Sequence, residues 1–274
     1  MELQQQAEGF RNEGMAVASL SYDSAAILKD FAERKKIAYP MLSDPESKVI
    51  KAFGILNTNI EPGTMAYGVP FPGMYIINAH GVVKAKYFED DHRERYTAAD
   101  VLTREFGGDG AAKTTVETPH LKLTYSASDA GMMPGARTAL ILDLELTKGM
   151  HVYAPGVQGD YIAIDWKMAE SKGWLAHPAV YPPSKTMHLK AIHETVPVYE
   201  GRVRLLRDLT IGQQAALGPL LGPDRSLTVE GTFRYQACDA KECYPPKTIP
   251  LQWTFHIDPL DSQRAPAALQ HKAQ

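Results

Sequence analysis

The residues of this chain best suited to chemistry lie in one short stretch, Phe233-Arg234-Tyr235-Gln236-Ala237-Cys238-Asp239-Ala240-Lys241-Glu242-Cys243-Tyr244-Pro245-Pro246. It holds both cysteines of the 274-residue sequence, with four residues between them. One β-type run enters the stretch and another, residues 249–255, leaves it. That spacing suits a hairpin end, where facing Cα atoms come within the ~4.4–6.8 Å a disulfide needs. A bridge over so small a loop removes little unfolded-chain entropy, so exchange chemistry explains the pair better than stabilisation does. A purely structural bridge and a pair of reduced, buried thiols remain the other readings. No metal is expected, because tetrahedral zinc wants four ligands, or three and a water, and the remaining candidates are scattered histidines such as His188 and His193. Lys241 beside the thiols favours a thiolate while Asp239 and Glu242 oppose it, so the flanking charges do not settle which sulfur is more acidic.

The elements that must carry this stretch divide the chain in two. Before residue 107, helix and strand alternate. Leu3, Ala7 and Phe10 form one helical face; Ile27, Leu28 and Phe31 form another behind a cap at Asp23 or Ser24. Asp44-Pro45 opens a third helix, carrying Val49, Ile50 and Phe53. Residues 74–77 and 82–88 flank the turn Asn78-Ala79-His80-Gly81 as an antiparallel hairpin, and a helix follows over 97–106. This order predicts an α/β sheet covered by helices. Around Gly107-Gly108-Asp109-Gly110 the composition turns to Gly, Ala and Thr, which reads as a linker over 107–118. Short β-type runs at 121–126, 139–146, 161–166, 202–206, 226–234 and 248–257 then predict a β-sandwich over 119–260, with a frayed tail at 261–274.

Bulk properties exclude several classes. A formal net charge of −3 gives no electrostatic reason for a nucleic-acid partner. No run approaches the ~20 apolar residues of a spanning helix, so no membrane span is expected. The start, Met1-Glu2-Leu3-Gln4-Gln5-Gln6, has neither the basic nor the apolar region of a signal peptide, and opens directly in an amphipathic helix, as if within a longer protein. The mixed-charge stretch around His80 and 89–95, with His92, reads as a solvated loop.

Residues 1–106 resemble the peroxiredoxin-like branch of the thioredoxin superfamily, the alkyl hydroperoxide reductase and thiol-specific antioxidant type. The resemblance rests on the strand at 17–21, Ala38-Tyr39-Pro40-Met41-Leu42-Ser43-Asp44, and Pro72-Gly73-Met74-Tyr75-Ile76-Ile77-Asn78. It implies an incomplete thioredoxin-like α/β domain and makes Pro72 the candidate cis-proline. The family's nucleophilic cysteine has no counterpart, since no cysteine precedes Cys238. Peroxidase activity is therefore not expected from this chain, unless a catalytic cysteine lies upstream of it.

Residues 119–258 resemble the amino-terminal, immunoglobulin-like domain of the DsbD reductant conductor, also called disulfide bond corrector. The Tyr-Gln-x-Cys…Cys-Tyr-Pro-Pro run carries the likeness, with Gly149-Met150-His151-Val152-Tyr153 and Val198-Tyr199-Glu200-Gly201 in order before it. The fold class expected is thus two domains: incomplete α/β thioredoxin-like, then an all-β immunoglobulin-like sandwich. The resemblance implies that Cys238 and Cys243 cycle between dithiol and disulfide, as a thiol–disulfide oxidoreductase without cofactor. It implies a thioredoxin-like or DsbD-type redox protein as partner, and points to the periplasm. Some relatives have five residues between the cysteines, which leaves the loop geometry open. By the same likeness His151, Tyr153, Tyr235, Asp239 and Tyr244 line the site. A cap loop over 182–196, with Met187, Leu189 and Ile192, covers it. A non-catalytic binding sandwich with a structural bridge is the alternative.

Overall fold

The structure is a computed structural model that describes residues 2–270, save 65, 90, 92, 109, 190–192 and 262. His92 and Ile192 therefore lie outside the described residues. The chain divides into two compact units, Met1–Gly107 with Leu260–Gln274, and Gly108–Pro259.

In the first unit α1 (Glu2–Asn12) leads to β1 (Ser19–Ser21), α2 (Ala25–Lys35), β2 (Met41–Ser43) and α3 (Lys48–Ala52). β3 (Gly73–Ile77), β4 (Val83–Phe88), β5 (Arg95–Tyr96) and α4 (Ala98–Phe106) follow. Caps fall where the sequence supplies them. Ser24 accepts from the Ile27 amide, and Thr97 accepts from that of Asp100. The third helix starts later than its Asp-Pro signal implies, because the Asp44 carboxylate reaches forward to the Lys48 and Ile50 amides, both at 2.9 Å. Phe10, Ala98 and Val101 form the core, against which Met74, Ile76 and Tyr87 of the hairpin pack. The expected continuous sheet is divided: β1 pairs with β2 in parallel and β3 with β4 antiparallel, as two separate two-stranded pieces. No cis peptide bond occurs among the described residues, so Pro72 follows an ordinary trans bond, the form X–Pro bonds favour by about 0.5–1 kcal/mol. The tail does not simply fray, because Asp261 pairs with Lys35 at 2.7 Å.

The second unit is all but entirely β. Its strands are β6 (Ala111–Glu117), β7 (Leu121–Ala127), β8 (Gly131–Met132), β9 (Ala136–Leu146), β10 (His151–Tyr153), β11 (Asp165–Met168) and β12 (Trp174–Val180). They continue as β13 (Lys185–Leu189), β14 (Glu194–Glu200), β15 (Arg202–Ile211), β16 (Ser226–Tyr235), β17 (Ala237–Cys238) and β18 (Lys247–Ile257). One sheet runs β12-β15-β9-β7-β6, a second β11-β16-β18-β8, and a third β13-β14-β10-β17. Strict alternation in β18 buries Ile249, Leu251, Trp253, Phe255 and Ile257 and leaves their neighbours exposed. They meet Leu140, Leu142, Leu205 and Phe233 in the principal core. Each such side chain contributes about 1.5–3 kcal/mol by leaving water.

Most of the expected linker is strand. β6 pairs antiparallel with β7, and the Thr115 and Thr124 hydroxyls meet at 3.0 Å. The β-branched run Thr114-Thr115-Val116 suits a pleated edge, a preference that the Gly- and Ala-rich composition around it hides. Gly110 permits the entry: its φ is +70°, and a Cβ there would sit 2.5 Å from the Ala127 carbonyl oxygen.

Candidate functional site

The cysteines face each other at the end of a tight hairpin. The Asp239 amide donates to the Glu242 carbonyl and the Tyr244 amide to the Ala237 carbonyl, both at 2.9 Å. Bonds on either side of a pair, with none between its own members, mark a non-hydrogen-bonded antiparallel pair, the arrangement that brings side chains closest. Cys238 and Cys243 are that pair, Cα to Cα 4.0 Å, and they form a disulfide. Asp239 builds the turn: its carboxylate accepts from the Lys241 amide at 2.7 Å, the Glu242 amide at 2.9 Å and the Tyr244 hydroxyl at 3.0 Å. The Glu242 and Lys241 amides hold the Asp239 carboxyl below the usual carboxylate range, with help from Tyr244. A depressed folded-state pKa favours the turn above the ordinary Asp value and withdraws that support as pH falls through the folded one. Tyr244 is fixed on its other face by stacking on His120, centroids 4.0 Å apart.

The two sulfurs sit in different surroundings. Cys238 is 1% exposed, whereas Cys243 is exposed. The third sheet explains the difference. β17 is its edge strand, with His151 opposite Cys238 across β10. Alternation sends Val152, Ala237 and Tyr199 into the principal core. The opposite face carries Tyr153, Val196, Val198 and Cys238, a second small core. A one-residue slip of β17 would move Cys238 to the wrong face. Val157, Tyr161, Met187 and Leu189 close this small core.

Tyr153 reaches the disulfide, its Oη 3.7 Å from Cys243 Sγ. A bridged sulfur carries no hydrogen, so the phenol donates. Burial first, and then the Glu194 charge, raise the Tyr153 pKa and keep that proton in place. The Tyr161 ring tilts against Tyr153 at 4.6 Å, and its hydroxyl donates to Glu194 at the start of β14. That bond, followed by desolvation and the charges of Glu194 and Tyr153, pushes Tyr161 up to about 12. Glu194→Gln is expected to return one tyrosine toward the ordinary value of about 10 in an ultraviolet titration. Unchanged curves would mean the bond is not made in solution.

Of the residues expected to line the site, Tyr153 touches the disulfide, His151 neighbours Cys238 in the ladder, and Asp239 and Tyr244 shape the turn. Tyr235 does not join them: it lies in the principal core, stacked on Phe233, with its hydroxyl 2.8 Å from Thr118 Oγ1. The expected cap loop is mostly a regular hairpin, since β13 and β14 pair over five residue positions from Lys185↔Val198 to Leu189↔Glu194. Its alternation spans only Met187-His188-Leu189, too short to stand out beside Pro182-Pro183. Val157, Tyr161 and Glu194 were not anticipated. The one sequence signal for this face was the alternation Val196-Pro197-Val198. Among the described residues no group of three or more His, Cys, Asp or Glu side chains is placed to hold a metal ion.

Residues 121–252 match the model for the thiol:disulfide interchange protein DsbD, N-terminal domain, and residues 1–86 match the AhpC/TSA family. The chain joins an AhpC/TSA-type segment to a DsbD N-terminal-type domain. The chain is similar to chloroplastic peroxiredoxin Q of Arabidopsis thaliana, 32% identical over 89 residues, which cover 32% of this chain and 38% of that relative. Among solved structures, the N-terminal periplasmic domain of ScsB from Proteus mirabilis aligns with TM-score 0.35 at 11% identity, over 52% of this chain and 49% of that one. The reduced DsbD N-terminal domain of Neisseria meningitidis aligns with TM-score 0.29 at 13% identity, over 43% and 81%. The chain thus spans 38% of the curated relative and 49% of the ScsB chain. A DsbD N-terminal-type domain bearing a bridged cysteine pair supports thiol–disulfide exchange as its chemistry. No described helix is long and apolar enough to cross a membrane.

Proposed function

We propose that the DsbD N-terminal-type domain of this chain exchanges electrons with a thioredoxin-like protein through the Cys238–Cys243 pair, and that Cys243 is the sulfur the partner meets. The observation that carries this reading is the unequal exposure of the two sulfurs within one disulfide. Exchange needs a line of approach to one sulfur and a leaving group on the other. The partner thiolate attacks Cys243 Sγ and a bond forms between the two sulfurs. The Cys238–Cys243 bond breaks, and its electron pair stays on Cys238 as a thiolate. The partner's second thiolate then attacks its own sulfur in the mixed disulfide and releases Cys243. The partner leaves oxidised, the chain keeps two electrons, and the reverse sequence passes them on. No cofactor enters this scheme, and its setting is the periplasm.

Cys238→Ser with Cys243 first converted to its thionitrobenzoate mixed disulfide, incubated with a reduced thioredoxin-like protein whose resolving cysteine is replaced by serine, is expected to release thionitrobenzoate and leave a stable mixed disulfide between the two proteins on Cys243, read by mass under non-reducing conditions. A redox titration of the unaltered chain complements it. A potential above about −300 mV fits an exchanging pair, and a lower one, without a trapped adduct, makes the bridge structural and removes this reading.

A further inference from the structure

The buried groups around the disulfide are paired, with one exception. His151 is 3% exposed, and its Nε2 is closed to solvent with no hydrogen-bond partner among the described residues. Leaving a buried polar atom unpaired is costly, and such groups in a native fold call for a reason. The ladder supplies one. His151 stands directly opposite Cys238, and residues so paired share a face with Cβ atoms about 4.5–5.5 Å apart. In the disulfide, Cys238 Sγ is drawn toward Cys243 and has no charge to offer. Once the bridge opens, that sulfur becomes a buried anion beside an idle donor.

We infer that His151 Nε2–H is the hydrogen-bond donor that receives the Cys238 thiolate when the disulfide is reduced, making His151 a positioning and leaving-group residue for the exchange. The inference rests on the exchange reading above and gives it a second participant. Cleavage still moves one electron pair onto Cys238 Sγ. His151 keeps its proton and shares it with the anion, so nothing else is consumed. A neutral ring fills the role, and burial lowers the His151 pKa, against the raising influence of Glu200 and then Asp239. The groups facing the ring are few. Glu200 lies across β14 and is itself tied to Lys185 of β13 at 3.4 Å; Asp239 is held by the turn amides; the Tyr153 ring meets His151 edge-on at 5.5 Å. None of these gives Cys238 a competing cation.

The test reads the thiol itself. With Cys243→Ser as background, Cys238 is the only cysteine, and its ionisation is followed by thiolate absorbance. A hydrogen bond to a charged group contributes about 1.5–3 kcal/mol, so His151→Phe is expected to lower the thiolate fraction near neutral pH by about tenfold or more. In the chain with both cysteines, His151→Phe is expected to slow reduction by dithiothreitol by about the same factor. Gln carries its amide nitrogen to the reach of Nε2 and Asn does not, so His151→Gln is expected to restore most of the loss and His151→Asn little. These two polar variants decide the matter if phenylalanine unfolds the sheet. Identical titrations for His151, Gln, Asn and Phe would overturn the inference. A titration that shifts as stated, in a protein that traps no thioredoxin-like partner, leaves the inference standing and removes the proposed exchange with such a partner.

Discussion

In Cys238→Ser, the remaining thiol of Cys243 is expected to react with iodoacetamide far faster than Cys238 reacts in Cys243→Ser. Cys243 sits exposed at the end of the hairpin, and reagent reaches it without any opening of the fold. Cys238 is 1% exposed beneath Tyr153, Val196 and Val198, so it reacts only from a locally opened state. An opening cost of about 2.8 kcal/mol gives a ratio on the order of a hundredfold. The rates should be compared as thiolate-corrected values, because acidity and access both enter an observed rate. Equal corrected rates would mean that the hairpin end rearranges freely once the bridge is gone, and Cys243 would lose its claim to be the sulfur met first.

The sequence made some of this legible because its signals were local. A tight hairpin follows from two β-runs and four intervening residues, and the nearness of the cysteines follows from the hairpin. The helices of the first unit announced themselves through caps and apolar faces. What stayed hidden depended on register across strands far apart in the chain. Nothing in His151-Val152-Tyr153 states that the middle residue enters the principal core while its neighbours face the cysteines; that follows from pairing with Glu200-Tyr199-Val198. The same pairing makes His151 the neighbour of Cys238. Tyr235 misled for the complementary reason. Three positions before Cys238 in sequence, it precedes the switch from β16 to β17 and belongs to another sheet. The edge strand β6 was obscured by composition, since glycine and alanine read as linker until Thr114-Thr115-Val116 find a partner. The division of the first unit's strands into separate pairs also had no local mark, because pairing partners are chosen by tertiary context.

Removal of the Tyr161 ring is expected to expose Cys238 more than removal of the hairpin's side chains. The sequence suggested Met187 and Leu189 as the cover, and both do pack on the small core, yet they sit in the same sheet as Cys238, two strands beyond β10. They flank the site. Tyr161 comes from the connection between β10 and β11. Its ring lies against Tyr153, and its hydroxyl is tied to Glu194, so one side chain joins that connection to the β13–β14 hairpin. The ring contact and the hydrogen bond both hold that connection over the small core, the bond less firmly because it lies open to solvent. In the Cys243→Ser background, Tyr161→Ala is therefore expected to speed alkylation of Cys238 by roughly tenfold, through easier local opening. Met187→Ser with Leu189→Ser should give a smaller increase. Tyr161→Phe separates the two contributions: it keeps the ring and loses the bond to Glu194, so its rate belongs between the unaltered value and that of alanine. A phenylalanine rate equal to the alanine rate would assign the cover to the Glu194 bond alone. An alanine rate no faster than the starting one would show that Val157 and the β-hairpin shield Cys238 without Tyr161.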